Sequence, residues 1–434
     1  MFIRPHIIII LNILIITTLN ADRFSEMAEA RNVLDRMQLQ WAIKPYPTKI
    51  KIFGYVKNEG IFDTRQNFAI RDGQLLYFPL EKLPDVIGQD INGRGDFNEF
   101  AIQTRIDFEA TGPDIGCFKS RCLIEGDFFG RTDPTINTFS LREGFLELTS
   151  ENLDFLAGQT YHPICIPVES PDTISFNSGI PITPFALCPQ FRFTYHTDSL
   201  EILGAAIGFL GDRPFGFAGG AAKVFRDSMM PDFFFSARFK LDELNYLGAG
   251  LDVMRIVPRL ATLQNYKEVY AIAPVSAELF IRFQANDIAT YSKVMYSQNA
   301  AVFELIGGIA VHTLDPLTDL RTWVPLQTVS WYVEFIKQGY LEPGLFLGIA
   351  KNLGATKQIV TGSESLVNLF GIGINIDTVF RVAPRVRWYI HSFILGVEYE
   401  YTRAAYGTPD DKGRIVNTVP VANNRFLFAT YYIF

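Results

Sequence analysis

Charged side chains recur at every second position in several stretches of this chain. Arg105, Lys119, Arg121, Arg192, Arg238, Lys240 and Arg282 hold the polar positions of alternating segments. Glu125, Asp127 and Glu278 hold similar positions, while Glu169 and Asp172 lie in a long connection flanked by Gln159 and Arg192. Guanidinium groups bind carboxylates bidentately, and rows of charge around a pore select by sign and diameter without making bonds. A basic wall facing an acidic loop would set a transverse field that orients polar solutes. Small organic acids are the solutes that such a wall fits best.

Catalytic chemistry has little support. His162, His196, His312 and His391 are scattered without metal-ligand spacing, so no metal and no cofactor are expected. There is no Gly-x-Ser-x-Gly elbow. His391 and Ser392 are adjacent, which in a strand sends them to opposite faces. The run Ala218-Gly219-Gly220-Ala221-Ala222 leads into Lys223-Val224, where a phosphate loop needs Gly-Lys followed by Ser or Thr. A net charge of −7 without any basic cluster excludes nucleic acid as a partner.

The elements that would position those charges are strands. In Asn98 to Thr111, Phe100, Ile102, Thr104, Ile106, Phe108 and Ala110 fall on one face; Glu99, Ala101, Gln103, Arg105, Asp107 and Glu109 fall on the other. Gln190, Arg192, Thr194 and His196 alternate with Phe191, Phe193 and Tyr195; Asp232, Ser236, Arg238 and Lys240 alternate with Phe233, Phe235, Ala237 and Phe239. A single such strand would suit a soluble antiparallel sheet equally well. Repetition with alternating short and long connections points instead to a transmembrane barrel with an apolar outside and a polar lumen. Short connections include Thr197-Asp198 and Gln284 to Asp287; long ones run from Arg65 to Phe97, Tyr161 to Pro189, Gly211 to Pro231 and Thr408 to Val421. Pro274, Pro325 and Pro384 are expected at bulges or strand ends.

The composition agrees: 38 Phe and 18 Tyr in 434 residues, against 20% charged. No run after the N-terminus is long enough for a spanning helix. The chain end carries the clearest barrel mark. Phe426, Phe428, Tyr432 and Phe434 share one face of a strand that stops on its last residue. A closing strand must pair with the first, because an open edge leaves backbone groups unpaired in lipid.

The expected organisation is a signal peptide over 1–21 and a periplasmic helical segment over 22–47. An all-β antiparallel barrel of about sixteen strands fills 48–434. Arg4 and the apolar stretch Ile7 to Ile16 mark the signal; Met27, Ala30, Val33, Leu34 and Met37 at helical spacing mark the helix. Cys165 and Cys188 bracket the long connection and could form a disulfide or remain free thiols; Cys117 and Cys122 cannot bridge along one strand.

Several segments resemble the DcaP-like outer-membrane porins. Leu123-Ile124-Glu125-Gly126-Asp127-Phe128-Phe129-Gly130 is similar to that family's third-strand signature, and Gln103-Thr104-Arg105 to its Gln-Ser-Arg. Ala157-Gly158-Gln159-Thr160-Tyr161 resembles the approach to its inward loop, and Pro171-Asp172-Thr173-Ile174-Ser175-Phe176-Asn177 the end of that loop. The second strand is less basic here, with Ile102 where an Arg is common and Glu99 nearby. The resemblance implies a trimeric sixteen-stranded porin in the outer membrane of a Gram-negative-type bacterium, passing small hydrophilic solutes such as dicarboxylates. It also implies that the long connection around 160–189 is an inward constriction loop. Its partners would be those solutes, outer-membrane lipid, the barrel assembly machinery and further copies of the chain in a homotrimer. A plugged barrel that presents its outer loops as an anchor or adhesin is the alternative.

Overall fold

The computed structural model describes residues 48–130, 132–165, 170–209, 221–361 and 368–434. The expected signal peptide (1–21) and helical segment (22–47) lie outside the described residues.

The wall begins with β1 (Lys49–Asp63). A small hairpin of β2 (Asn67–Ile70) and β3 (Leu75–Pro79) follows within the first long loop. β4 (Asp96–Phe100) and β5 (Arg105–Thr111) then share one position in the wall. β6 (Lys119–Asp127), β7 (Ser140–Thr149), β8 (Leu153–Tyr161), β9 (Leu187–His196) and β10 (Leu200–Ile207) continue it. β11 (Asp232–Lys240), β12 (Tyr246–Val253), β13 (Val275–Ala285) and β14 (Ile288–Gln298) come next. β15 (Gly307–Leu314) rises above the wall, before β16 (Arg321–Lys337) and β17 (Leu341–Ala355). β18 (Leu369–Ile372) pairs with β15, and β19 (Ile376–Ile390), β20 (Phe393–Pro409) and β21 (Ile415–Ile433) complete the circuit. The result is a closed antiparallel barrel of 16 strands.

Closure follows from the last strand. β21 pairs with β1 from Tyr55↔Ile433 to Asp63↔Arg425. Gly54 and Phe434 exchange both backbone hydrogen bonds, at 3.0 and 3.1 Å. Every neighbour is thus paired and no edge faces lipid. Phe426, Phe428, Tyr432 and Phe434 are exposed on the outer surface, as are Phe191, Phe193, Phe235, Phe239 and Leu251. The polar partners in their alternation face inward. This is the apolar-out arrangement of a membrane-spanning barrel.

Four local readings change. The alternation from Asn98 to Thr111 is not one strand: Thr104 donates to the Ala101 carbonyl (3.1 Å) in a turn that shifts the phase by one residue. Phe100 and Ile102 are therefore buried inside, whereas Phe108 faces out. The expected long connection from Thr408 to Val421 is instead a strand hairpin, β20 and β21 joined across 410–414. Pro274 precedes β13, but Pro325 and Pro384 sit within β16 and β19, opposite Ile309 of β15 and Leu345 of β17. His391 and Ser392 form the turn between β19 and β20 and are not in a strand.

Long loops gather at one rim, the extracellular one in barrels of this kind, and several turn inward. The β2–β3 hairpin buries Leu75, Leu76, Tyr77 and Phe78, and the turn Ala300–Phe303 is buried throughout. Tyr77 and Glu304 join the two through a 2.5 Å hydrogen bond. Outside this packed region a polar clasp ties two outer loops. Glu268 binds Arg259 (2.7 Å) and the Trp323 indole N–H (3.0 Å), and Asp319 binds Arg259 and Arg321, both at 2.8 Å. Burial raises these two carboxyls, but the Arg259 guanidinium and further hydrogen bonds together outweigh it, so both titrate below their ordinary values of 4.5 and 3.8. Those bonds come from Trp323 and the Arg321 amide to Glu268, and from the Leu263 amide and the Arg321 side chain to Asp319. Depressed values mean that the clasp is at full strength above the ordinary range and weakens as pH falls through it. Protection factors of the amides in 254–274 and 315–323, taken against the intrinsic rate at each pH, are expected to fall as pH drops below about 4, with the barrel strands still protected. Unchanged protection would show that the clasp does not hold these loops.

Candidate constriction site

The connection between β8 and β9, here L3, folds into the lumen. Gly179 permits its tightest bend: its φ of +83° is left-handed, and a Cβ there would meet Thr183 at 2.9 Å. The descending backbone is held by the wall. Glu398 accepts from the Ile174 and Ser175 amides (2.7 and 3.1 Å), and Glu400 accepts from the Asn177 side chain (2.7 Å). Lys57 donates to the Ile174 carbonyl (2.9 Å). Asp172 is gripped by Arg387 (2.8 Å to Oδ1), and its amide donates to Glu334 (2.9 Å). Charge-assisted bonds of this kind are about twice as strong as neutral ones.

Across the lumen stands a second charged group. Arg142 binds Glu125 (2.6 Å), Asp127 (3.1 Å) and the Tyr161 hydroxyl (2.8 Å), and lies over the Phe176 ring of L3. Arg105 approaches Glu125 only at 3.4 Å, and that Glu125 oxygen is already taken by Arg142. The Nε of Arg105 has no hydrogen-bond partner among the described residues. Between the two walls is a cavity of about 360 Å³, lined among others by Tyr55, Gln103, Arg105, Arg142, Tyr161, Asp172, Phe176 and Tyr291. Of the two arginines on this lining, Arg105 is the less tightly paired to Glu125. The Arg105 guanidinium borders this cavity and lies over the Tyr55 ring.

The sequence-derived residues are distributed unevenly around this cavity. Arg105 and Asp172 line it, and Glu125 and Asp127 act through Arg142. Gln159 is buried and spends its amide on the Arg142 carbonyl (2.7 Å). Arg192 donates to the Tyr161 carbonyl (2.8 Å) and to Gln190, fastening β9 to the end of β8. Arg121 pairs with Glu147 (2.7 Å) and Glu109 (3.2 Å); with Lys119 it lies toward the short-turn end of the barrel. Arg238 and Lys240 share Glu201 (3.1 and 3.2 Å), and Arg282 covers the Tyr291 ring. Glu278 pairs with Lys293 (2.9 Å). Glu169 lies outside the described residues. None of the four cysteines forms a disulfide; the Cys165 thiol donates to the His162 carbonyl.

Sequence reasoning missed Arg142 and an interior ladder on β19, β21 and β1. Arg381 pairs with Glu400 (3.1 Å), Arg385 with Glu334 (2.7 Å), Arg425 with Asp63 (2.7 Å) and Lys57 with Glu59 (2.7 Å). Arg381, Arg385 and Arg387 share one face of β19 while Phe380, Val386 and Trp388 are exposed on the other. That alternation was the available signal.

The chain matches no protein-family model and no curated protein sequence. Among solved structures it is similar to the outer membrane channel DcaP of Acinetobacter baumannii, at 16% identity over 89% of this chain and 97% of that one, with a TM-score of 0.66. It is also similar to OmpT, an outer membrane protein of Vibrio cholerae, at 10% identity over 90% and 99% of the two chains, TM-score 0.52. A trimer form of OmpT superposes with the same TM-score at 9% identity. At such identities the likeness is one of fold: this chain has the closed sixteen-stranded architecture of outer-membrane channels.

Proposed function

We propose that this protein is a passive diffusion channel of the DcaP-like class in the outer membrane of a Gram-negative-type bacterium. It passes small hydrophilic solutes, organic anions such as dicarboxylates foremost, and works as a homotrimer. The observation that carries this reading is the cavity between L3 and Arg105, where a tethered loop narrows the lumen beside an incompletely neutralised guanidinium. The DcaP channel's likeness in fold and the trimer form of OmpT support it. Residues 1–21 then serve as the export signal and 22–47 as the periplasmic segment.

The test is the purified full chain, refolded into planar bilayers under a salt gradient. Conductance steps in threes with a reversal potential favouring anions are expected. Arg105→Ala should lower the anion preference by about threefold, since one charge some 7 Å from an ion in water is worth about 0.6 kcal/mol. An unchanged reversal potential would remove Arg105 from the pathway. A second reading, a plugged barrel acting as an anchor, draws on the buried packing of Tyr77, Phe303 and Ile306 inside the outer half. Silence from a folded, inserted barrel would favour it.

A further inference from the structure

At the root of L3 three side chains converge from separate strands. His162 follows β8, Asp232 opens β11 and Asp252 lies near the end of β12. His162 Nε2 is 3.1 Å from Asp232 Oδ2 and 3.4 Å from Asp252 Oδ1. One donor atom from each of the three lies within 4.8 Å of the others. All three side chains are fully buried. Phe209, Phe234 and Phe303 surround the imidazole, with ring centroids at 6.0, 5.7 and 5.1 Å.

This apolar box supplies little for two carboxylates. Neither oxygen of Asp252, nor Oδ1 of Asp232, has a hydrogen-bond partner among the described residues. Lys293, which also reaches this root, is committed to Glu278 (2.9 Å) and the Ile164 carbonyl (2.7 Å). Buried carboxylates without partners are costly, so they take up protons or a cation. The spacing, which suits a hydrogen bond from the imidazole, also admits a cation. Ligands held 2.0–2.2 Å from a tetrahedral zinc sit roughly 3.3–3.5 Å apart, close to the separations from the imidazole to the two carboxylates. One imidazole nitrogen and two carboxylate oxygens form a zinc-type donor set. Calcium and magnesium need six or more oxygens, several of them water in the case of magnesium.

We propose that His162, Asp232 and Asp252 form a structural site for a divalent cation of the zinc class, which fastens the root of L3 to the β11–β12 wall. In the metal-free ring, Nδ1 accepts from the Ile164 amide at 3.2 Å, leaving the ring proton on Nε2, aimed at the carboxylates. The cation takes that position, the ring proton passes to Nδ1, and the Ile164 contact is the one that yields. The ligands are 70 residues and more from His162 in sequence, so no local spacing announces the site. The site is independent of the solute that the channel carries.

The test uses the full refolded chain in detergent, stripped with EDTA and then titrated with zinc chloride against a chromophoric chelator. One equivalent per chain is expected, with the unfolding midpoint raised by about 2–4 °C. Asp252→Asn, nearly isosteric, and His162→Gln should weaken zinc by about 100-fold or more while heat-modifiable mobility reports a folded barrel. Asp242→Asn in an exposed turn should bind as the parent does. A folded parent that takes no zinc overturns the proposal, as does undiminished binding by Asp252→Asn. Calcium retained in place of zinc would overturn the assigned class. If neither site variant folds, the parent's stoichiometry decides.

Discussion

Arg425→Leu is expected to lower barrel stability by about 3–5 kcal/mol, the usual effect of leaving one member of a buried ion pair alone. Arg425 lies on the closing seam directly opposite Asp63, and its guanidinium is inaccessible to solvent. It bonds Asp63 through Nε (3.0 Å) and Nη2 (2.7 Å). It also donates to the carbonyls of Gly73 and Gln74 at 2.7 and 3.2 Å, in the bend of the β2–β3 hairpin. Leucine keeps the volume but strands a buried carboxylate and two carbonyls. Asn423, which bonds Asp63 at 2.6 Å, cannot neutralise it. Pairing the change with Asp63→Asn should recover a large part of the loss, because the stranded charge is then gone. Urea midpoints read from heat-modifiable mobility measure both variants. A loss under about 1 kcal/mol in Arg425→Leu would mean that water reaches the seam.

The same residue shows how far the sequence reaches. Period-two alternation exposed the outer face of β21, and with it the closure, because lipid accepts only apolar side chains there. The partner of Arg425 was not legible: Asp63 is separated from it by nearly the whole chain and meets it only once the barrel closes. Arg142 was overlooked because it lies in a strand whose outer face is weakly apolar and broken by glycine. The ladder on β19 was obscured by Pro384, which argues locally against a strand interior. The phase shift at Ala101 to Thr104 is a turn within a perfect alternation, and alternation cannot report it. Filling of the outer half was hidden as well. Ala300 to Phe303 is an apolar run without period-two alternation, and the path of the loop buries it.

The second large effect concerns L3, and it separates a constriction from a packing element. Asp172→Ala with Glu398→Ala should raise single-channel conductance by roughly twofold or more and add open-state noise, if L3 sets the narrowest section. The pair is chosen for the charges that it leaves behind. Arg387 keeps Glu342 at 3.2 Å, and Arg385 keeps Glu334 at 2.7 Å, so neither arginine is stranded. Glu398 serves the Ile174 and Ser175 amides of the loop, which can turn to water once the lumen widens. The wall therefore stays neutralised while the loop loses its two carboxylate ties, keeping the Lys57 and Glu400 contacts and the bonds that Arg381, Arg387 and Glu334 make to its backbone. Freed backbone in a water-filled pore is cheap to expose, so the loop's position should respond more than the barrel's stability. Unchanged conductance in a folded double variant would place the narrowest section elsewhere, at the β2–β3 hairpin and the Ala300–Phe303 turn. In that case Tyr77→Phe, which removes the hydroxyl joining those two segments through Glu304, becomes the variant that should open the pore.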